Sequence, residues 1–172
     1  MAQQKEESTV VVVRRADRPG DLGWMVLTHG EVYDRQLGWD TDFEALVARI
    51  VADYAADHDP DREAAWIAEV DGSRAGCILL VTDREDPSAA RLRILLVTEE
   101  ARGHGVGTRL VGDCLRFARE AGYGRVTLWT NDVLVSARRI YEAFGFALVD
   151  EEPHRSFGKD LVGQNWSLDL GA

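Results

Sequence analysis

A glycine-rich segment that links a short apolar run to an amphipathic pattern constrains this chain more than any other feature. The apolar run ends in Leu95-Leu96-Val97, the segment Arg102–Gly107 contains three glycines, and apolar residues then recur at helical spacing from Leu110 to Ala118. A helix that starts this way has several free backbone N–H groups at its positive end. Because glycines carry no Cβ atom, a phosphate could approach the backbone closely. The segment therefore predicts an anion site, and we interpret the anion as a diphosphate.

Two common phosphate motifs do not fit this segment. A P-loop needs a lysine after its last glycine, whereas Gly107 is followed directly by Thr108. A dinucleotide fingerprint needs a different glycine spacing and an acidic residue about 20 positions later, where this chain has Tyr123-Gly124-Arg125. A glycine-rich turn without a ligand stays open as an alternative.

The charge and the cysteines exclude several classes of function. A net charge of −10 opposes generic binding to nucleic acid and to anionic membranes. The sequence has no apolar run of the ~20 residues that a membrane span needs, and its first residues lack the apolar stretch of a signal peptide. Cys77 and Cys114 match no metal or redox spacing, so we expect buried thiols, no metal site and a cytoplasmic protein.

The order of predicted elements indicates a single α/β domain. We predict a flexible leader over residues 1–7 and one domain over residues 8–172. The pattern is a strand, two helices, three strands, a helix, a strand, a helix and two strands. Of these, the last two strands are predicted at 147–150 and 161–170. Such an order favours a mixed central sheet of about seven strands with helices on both faces.

Two motifs resemble those of the GNAT N-acetyltransferase superfamily. Arg102-x-x-Gly105-x-Gly107 is similar to its [RQ]-x-x-G-x-[GA] motif, and Ala137-x-x-x-Tyr141-x-x-x-Gly145-Phe146 is similar to a second signature. The element order also agrees over about residues 9–170. Within the superfamily, 18–33 and 128–132 resemble the acetyltransferase domain that is fused to MarR-type regulators.

The resemblance implies that acetyl-CoA is the co-substrate. Its pyrophosphate would be held by Arg102, Gly103, His104, Gly105, Val106, Gly107 and Thr108. A splay between the fourth and fifth strands would free the backbone of Leu95, Leu96 and Val97 for the pantetheine arm. In many members an asparagine forms a hydrogen bond with the pantetheine arm. This chain has Leu134 at that position, so we name Asn131 and Ser136 as substitutes.

The same resemblance assigns Tyr141 as the acid that protonates the leaving sulfur, although it could merely pack on the sheet. The base stays open between His154 and a water relay. For the acceptor site we name His29, Tyr33, Arg93 and His154. Arg93 shares strand parity with Leu95 and Val97, so it would face the same cleft and favour an acceptor with a carboxylate. Alternatively, Arg93 is a surface residue paired with an acidic side chain.

The first hypothesis for function is an N-acetyltransferase that transfers acetyl from acetyl-CoA to a small primary amine by direct attack. The alternatives are a non-catalytic acetyl-CoA sensor, a protein lysine or N-terminal acetyltransferase, and an O-acetyltransferase. We expect no nucleic-acid or membrane partner. Homodimer formation stays open.

Overall fold

The computed structural model describes residues 8–171, so the predicted leader 1–7 lies outside the described residues. These residues form seven strands and four α-helices. The strands are β1 (Val11–Arg15), β2 (Ala64–Val70), β3 (Ser73–Thr82), β4 (Ala89–Val97), β5 (Arg125–Asn131), β6 (Ala147–Ser156) and β7 (Lys159–Asp169). The helices are α1 (Asp21–Leu37), α2 (Thr41–Ala56), α3 (Val106–Glu120) and α4 (Val135–Ala143), with a short 3-10 helix at Glu99–Ala101.

The strands form one mixed sheet, as predicted, and its strand order is β1-β2-β3-β4-β5-β7-β6. Among the described strands, β4 and β5 alone run parallel to each other. They pair only where Ala89–Arg91 lies beside Arg125–Thr127, and beyond this point the two strands diverge. The predicted splay between the fourth and fifth strands is therefore confirmed. It leaves the β5-facing edge of β4 without a strand partner along its second half.

Helices cover both faces of the sheet, which confirms the predicted layers. Helix α3 buries Leu110, Val111 and Leu115 against one face, together with Cys114. Helices α1 and α2 bury an apolar face on the other side, against Cys77 and its neighbours in β2 and β3. Both cysteines are buried free thiols, as expected. Each fully buried leucine contributes roughly 1.5–3 kcal/mol of burial free energy, so these two layers fix the frame of the site.

A β-bulge in β4 changes which side chains share a face. Leu79 pairs with Arg93, whereas Cys77 pairs with Leu96, so β4 holds one extra residue between these pairs. Ile94 absorbs it with a left-handed φ of 48°, a strained conformation for a β-branched residue. Arg93 therefore faces the α1–α2 side with Leu79.

The bulge overturns the strand-parity argument for Arg93. Leu95 and Val97 pack into the core beneath α3, the opposite face from Arg93. An alternating strand would place the three side chains on one face, but the extra residue at Ile94 shifts the alternation by one.

Candidate active site

A groove of about 490 Å³ opens where β4 and β5 diverge. Its walls are the end of β4, the glycine-rich turn, the start of α3 and the groove-facing sides of α1 and α4. Every residue predicted to bind the co-substrate lines it except His104 and Asn131. The predicted residues in its wall are Leu95, Leu96, Val97, Arg102, Gly103, Gly105, Val106, Gly107, Thr108 and Ser136.

The glycine-rich turn presents free backbone amides to this groove. Gly103 and Gly105 have left-handed φ values of 84° and 70°, which glycine adopts without strain. The amide of Arg109 donates to the carbonyl of Gly105 at 3.0 Å, so the preceding amides of the first helical turn have no intrahelical partner. These N–H groups and the helix dipole make the turn fit an anion.

Two arginines supply free positive charge beside these amides. Arg102 and Arg139 both line the groove and are exposed, and neither forms an ion pair with any residue from 8 to 171. Arg109 instead donates from Nη1 to the carbonyl of Val11 at 2.5 Å, which directs its charge to the edge of the sheet. Sequence reasoning missed Arg139, although it lies three residues after Ser136 on one face of α4.

A smaller cavity of about 110 Å³ lies beside the groove. The two share wall residues from α1, β4 and the α4 region, namely Tyr33, Leu95, Leu134 and Ala137. The rings of the smaller cavity belong to His29, Tyr33, Trp39, Phe43, Trp129 and Tyr141. A ligand in the groove and a ligand in the smaller cavity would therefore meet at one common wall.

Tyr141 packs in the core, which is one of the two alternatives that the sequence left open. Its ring is buried and tilted against Phe146, with ring centres 5.7 Å apart. Tyr141 lines the smaller cavity, and its hydroxyl forms no hydrogen bond with another residue from 8 to 171. Burial, and to a lesser extent the neighbouring Tyr33, raises the pKa of Tyr141 above its usual value. The hydroxyl therefore stays protonated at neutral pH and can donate a proton or a hydrogen bond.

His29 lies in the wall of the smaller cavity, as predicted, and is 1% exposed. Its Nδ1 donates to the carbonyl of Met25 at 2.6 Å, and Nε2 has no partner among the described residues. Burial lowers the pKa of the imidazole to about 4. The ring is thus neutral at pH 7 and stacks on Tyr33, with ring centres 5.8 Å apart.

The structure places His154 and Asn131 beside each other, outside the groove. His154 does not line the smaller cavity, and its Nε2 is bonded to Oδ1 of Asn131 at 2.8 Å. Its Nδ1 is bonded to Oγ of Ser156 at 2.9 Å, so both ring nitrogens have a hydrogen-bond partner. Asn131 is buried in the wall of the smaller cavity, outside the groove, because its side chain is held by His154.

Arg93 lines the smaller cavity, but it lies on the opposite face of β4 from Leu95 and Val97 and not on the same face, as was predicted. It lies on the α1–α2 face, where Arg91 and Arg93 both line the cavity wall. Arg93 is half-buried and forms no ion pair within residues 8–171, so the alternative of a surface residue paired with a carboxylate is wrong.

An aromatic cluster supports one wall of the smaller cavity, where Trp39 and Phe43 are lining residues. Phe157, at the β6–β7 turn, packs on Trp39 and Phe43 with ring centres 4.9 and 5.1 Å apart. The turn has left-handed φ values at Phe157 (56°) and Gly158 (77°), which match a two-residue hairpin.

Comparison with known proteins agrees with this fold and this groove. Residues 27–146 match the model of the Acetyltransferase (GNAT) family. The chain therefore belongs to the GNAT acetyltransferase family. The resemblance to the MarR-fused subgroup stays a prediction.

Two curated relatives show how far the sequence similarity extends. N-acetyltransferase family 8 member 2 from Rattus norvegicus is 36% identical over 84 residues, which cover 47% of this chain and 37% of the relative. N-acetylaspartate synthetase from Danio rerio is 34% identical over 86 residues, covering 50% of this chain and 30% of the relative. The chain thus matches only 30–37% of the length of these relatives.

Solved structures match over nearly the whole fold. The GNAT-family acetyltransferase from Streptococcus pneumoniae has a TM-score of 0.73 at 16% identity, covering 94% of this chain and 100% of that one. YncA from Salmonella typhimurium, solved with its cofactor acetyl-CoA, has a TM-score of 0.75 at 15% identity, covering 95% of each chain. At such identities the similarity establishes the fold.

No helix among residues 8–171 is both long and apolar enough to cross a bilayer. Over the same residues, no cluster of three or more His, Cys, Asp or Glu side chains is arranged to hold a metal ion.

Proposed function

We propose that this protein is an acetyl-CoA-dependent N-acetyltransferase that acetylates a primary amine of a small molecule. The observation that carries the proposal is the shared wall between the two cavities. A groove whose turn fits an anion meets a smaller cavity, and Tyr141 is in the wall of the latter. Family membership and the names of the curated relatives support the same activity.

The residues of the groove fit acetyl-CoA. The amides of the 103–108 turn, with Arg102 and Arg139, would bind the pyrophosphate through charge-assisted hydrogen bonds. Along Leu95–Val97, the edge of β4 that faces away from β3 has no strand partner, so its N–H and C=O groups are available to the pantetheine amides. One such N–H could polarise the thioester carbonyl. The acetyl thioester is the electrophile that this co-substrate supplies.

The residues of the smaller cavity would position the amine and manage the protons. The amine nitrogen forms a bond to the acetyl carbon while the carbon–sulfur bond breaks. Tyr141 gives its proton to the departing sulfur and regains one from the acetylated nitrogen through water. Within residues 8–171, no aspartate or glutamate lines the smaller cavity. Because His29 is protonated only near pH 4, water takes the surplus proton of the amine before attack.

The size of the smaller cavity favours a small acceptor over a protein chain. A volume of about 110 Å³ beside the groove gives room for part of a small ligand but not for a folded segment. We further propose that residues 8–172 act as one catalytic domain in the cytoplasm. The two free buried thiols suit a reducing compartment.

The test is release of free thiol from acetyl-CoA with the purified chain and a panel of amines. Calorimetry with acetyl-CoA alone measures whether the groove binds the co-substrate. We expect saturable binding, and thiol release that depends on an added amine. Binding without thiol release across amino acids, polyamines, aminoglycosides and peptides would instead show a non-catalytic sensor, and no binding would contradict both functions.

A further inference from the structure

The smaller cavity has a charge opposite to that of the protein as a whole. The chain has 30 acidic and 20 basic side chains, yet the charged residues that line this cavity are Arg91 and Arg93. Among the described residues, no aspartate or glutamate is in its wall. A cavity that bound a polycationic amine would be expected to hold acidic side chains, so this lining indicates an anionic group on the acceptor.

Arg93 is the residue best placed to bind that group. The bulge at Ile94 directs it to the cavity side of the sheet, where it is half-buried without an acidic partner in residues 8–171. The carboxylate of Asp53 attracts Arg93 without forming an ion pair with it, and lies 3.4 Å from Nη2 of Arg84. Burial, followed by repulsion from Arg91 and Arg84, lowers the pKa of Arg93. A partly desolvated cation without a partner is costly, and a bound carboxylate would relieve that cost.

The side of the wall that α2 forms is apolar. Phe43, Leu46, Val47 and Ile50 of α2 and Ile94 of β4 contribute hydrocarbon surface. Such a surface favours an aliphatic group and offers no partner to hydroxyl-rich or polyamine ligands.

We propose that the acceptor is a small amine that also carries a carboxylate and an apolar body, such as an amino acid with an aliphatic side chain. This inference rests on the proposed function. Arg93 binds the carboxylate through its guanidinium, the α2 side of the cavity covers the aliphatic group, and the amine is held at the wall shared with the groove. The guanidinium suits this task because its planar fork matches a carboxylate.

The experiment compares three acceptors that share one side chain. L-leucine carries the carboxylate, L-leucinamide replaces it with a neutral amide, and 3-methylbutylamine lacks it. We measure kcat/KM for each by thiol release and correct each value for the fraction of free amine. A charge-assisted hydrogen bond contributes about 1.5–3 kcal/mol, so we expect L-leucine to exceed both others by roughly 10-fold to 100-fold. Equal or faster turnover of 3-methylbutylamine would overturn the proposal.

Two arginine variants isolate the role of Arg93. Arg93→Met keeps the apolar stem and removes the charge, so the ratio of kcat/KM for L-leucine to that for 3-methylbutylamine should fall towards one. The control Arg116→Met removes an exposed arginine of α3 that pairs with Asp113 at 2.7 Å and lines neither cavity, and should keep the wild-type ratio. An unchanged ratio in Arg93→Met would overturn the assignment.

Direct binding separates failure of this inference from failure of the proposed function. If no acceptor gives thiol release although acetyl-CoA binds, the proposed enzyme activity is wrong. Calorimetry with L-leucine alone then decides the inference. Heat of binding that is lost in Arg93→Met supports carboxylate recognition, and no heat with the wild-type protein overturns it. This wild-type measurement also stands if Arg93→Met does not fold.

Discussion

Arg14 and Asp21 form a bidentate ion pair that links the start of α1 to β1. Nη1 of Arg14 lies 2.8 Å from Oδ2 of Asp21, and Nη2 lies 3.0 Å from Oδ1. Nε of Arg74 also donates to Asp21 at 2.9 Å, although the carboxylate is fully buried. Helix α1 carries His29 and Tyr33, so this ion pair positions one wall of the smaller cavity.

Replacing Asp21 with asparagine should destabilise the fold by about 3 kcal/mol at pH 7, because it leaves partly buried arginines without their counter-charge. Hydrogen bonding from Arg14 lowers the pKa of Asp21 from 3.8 to about 2 in the folded state. The ion pair's contribution is therefore complete above about pH 4 and is lost as the pH falls through 2. Urea unfolding at several pH values should show the difference between wild type and Asp21→Asn narrowing below pH 4. Asp160→Asn, in an exposed ion pair, should change stability by less than about 0.5 kcal/mol.

Arg102 and Arg109 form a matched pair for testing the groove. Arg102 lines it, whereas Arg109 is turned to the carbonyl of Val11. Arg102→Gln should weaken acetyl-CoA binding by about 10-fold or more, since a charge-assisted hydrogen bond contributes about 1.5–3 kcal/mol. Arg109→Gln should leave the affinity close to wild type. Calorimetry with acetyl-CoA measures both, and equal losses in the two variants would contradict the position given to the pyrophosphate.

Tyr141→Phe should lower kcat by about 100-fold or more, the usual contribution of general acid catalysis. The affinity for acetyl-CoA should be unchanged, because Tyr141 lines the smaller cavity and not the groove. Thiol release and calorimetry measure the two quantities. Tyr54→Phe is the control, since Tyr54 stacks on His58 and lines neither cavity. Full activity in Tyr141→Phe would leave the ring with a packing role alone.

His154→Gln should retain the wild-type shape of the pH profile of kcat/KM. Both nitrogens of His154 are engaged, with Asn131 and Ser156, so we expect water and not this imidazole to take the proton of the amine. The amide of glutamine can replace one of these hydrogen bonds. Loss of the acidic limb of the profile in this variant would restore His154 as the base.

The frame of the fold was predictable because its signals are local. The glycines at 103 and 105 indicate a left-handed turn before a helix, and the apolar stripe of α3 indicates its buried face. The sequence did not indicate the full length of β6, which was predicted over 147–150 and extends to Ser156. Most of this edge strand is exposed and polar, so its register with β7 comes from pairing and not from an apolar pattern.

The details of the site depended on contacts that no local pattern encodes. A single extra residue at Ile94 reverses the facing of every later side chain in β4, and alternating apolar residues give no sign of it. Asn131 and His154 are 23 residues apart, so their pairing follows only from how β5, β7 and β6 align. Arg139 was missed because it bears no motif letter between Ala137 and Tyr141.

The aromatic cluster beside the smaller cavity brings together two turns that lie far apart in the chain. Trp39 comes from the link between α1 and α2, and Phe157 from the tip of the β6–β7 hairpin. Neither turn contributes to the β4–α3 unit that forms the anion-binding amides. Substitutions in these two turns can therefore change which acceptors the smaller cavity admits, while the glycine-rich turn that would bind the phosphates stays unaltered.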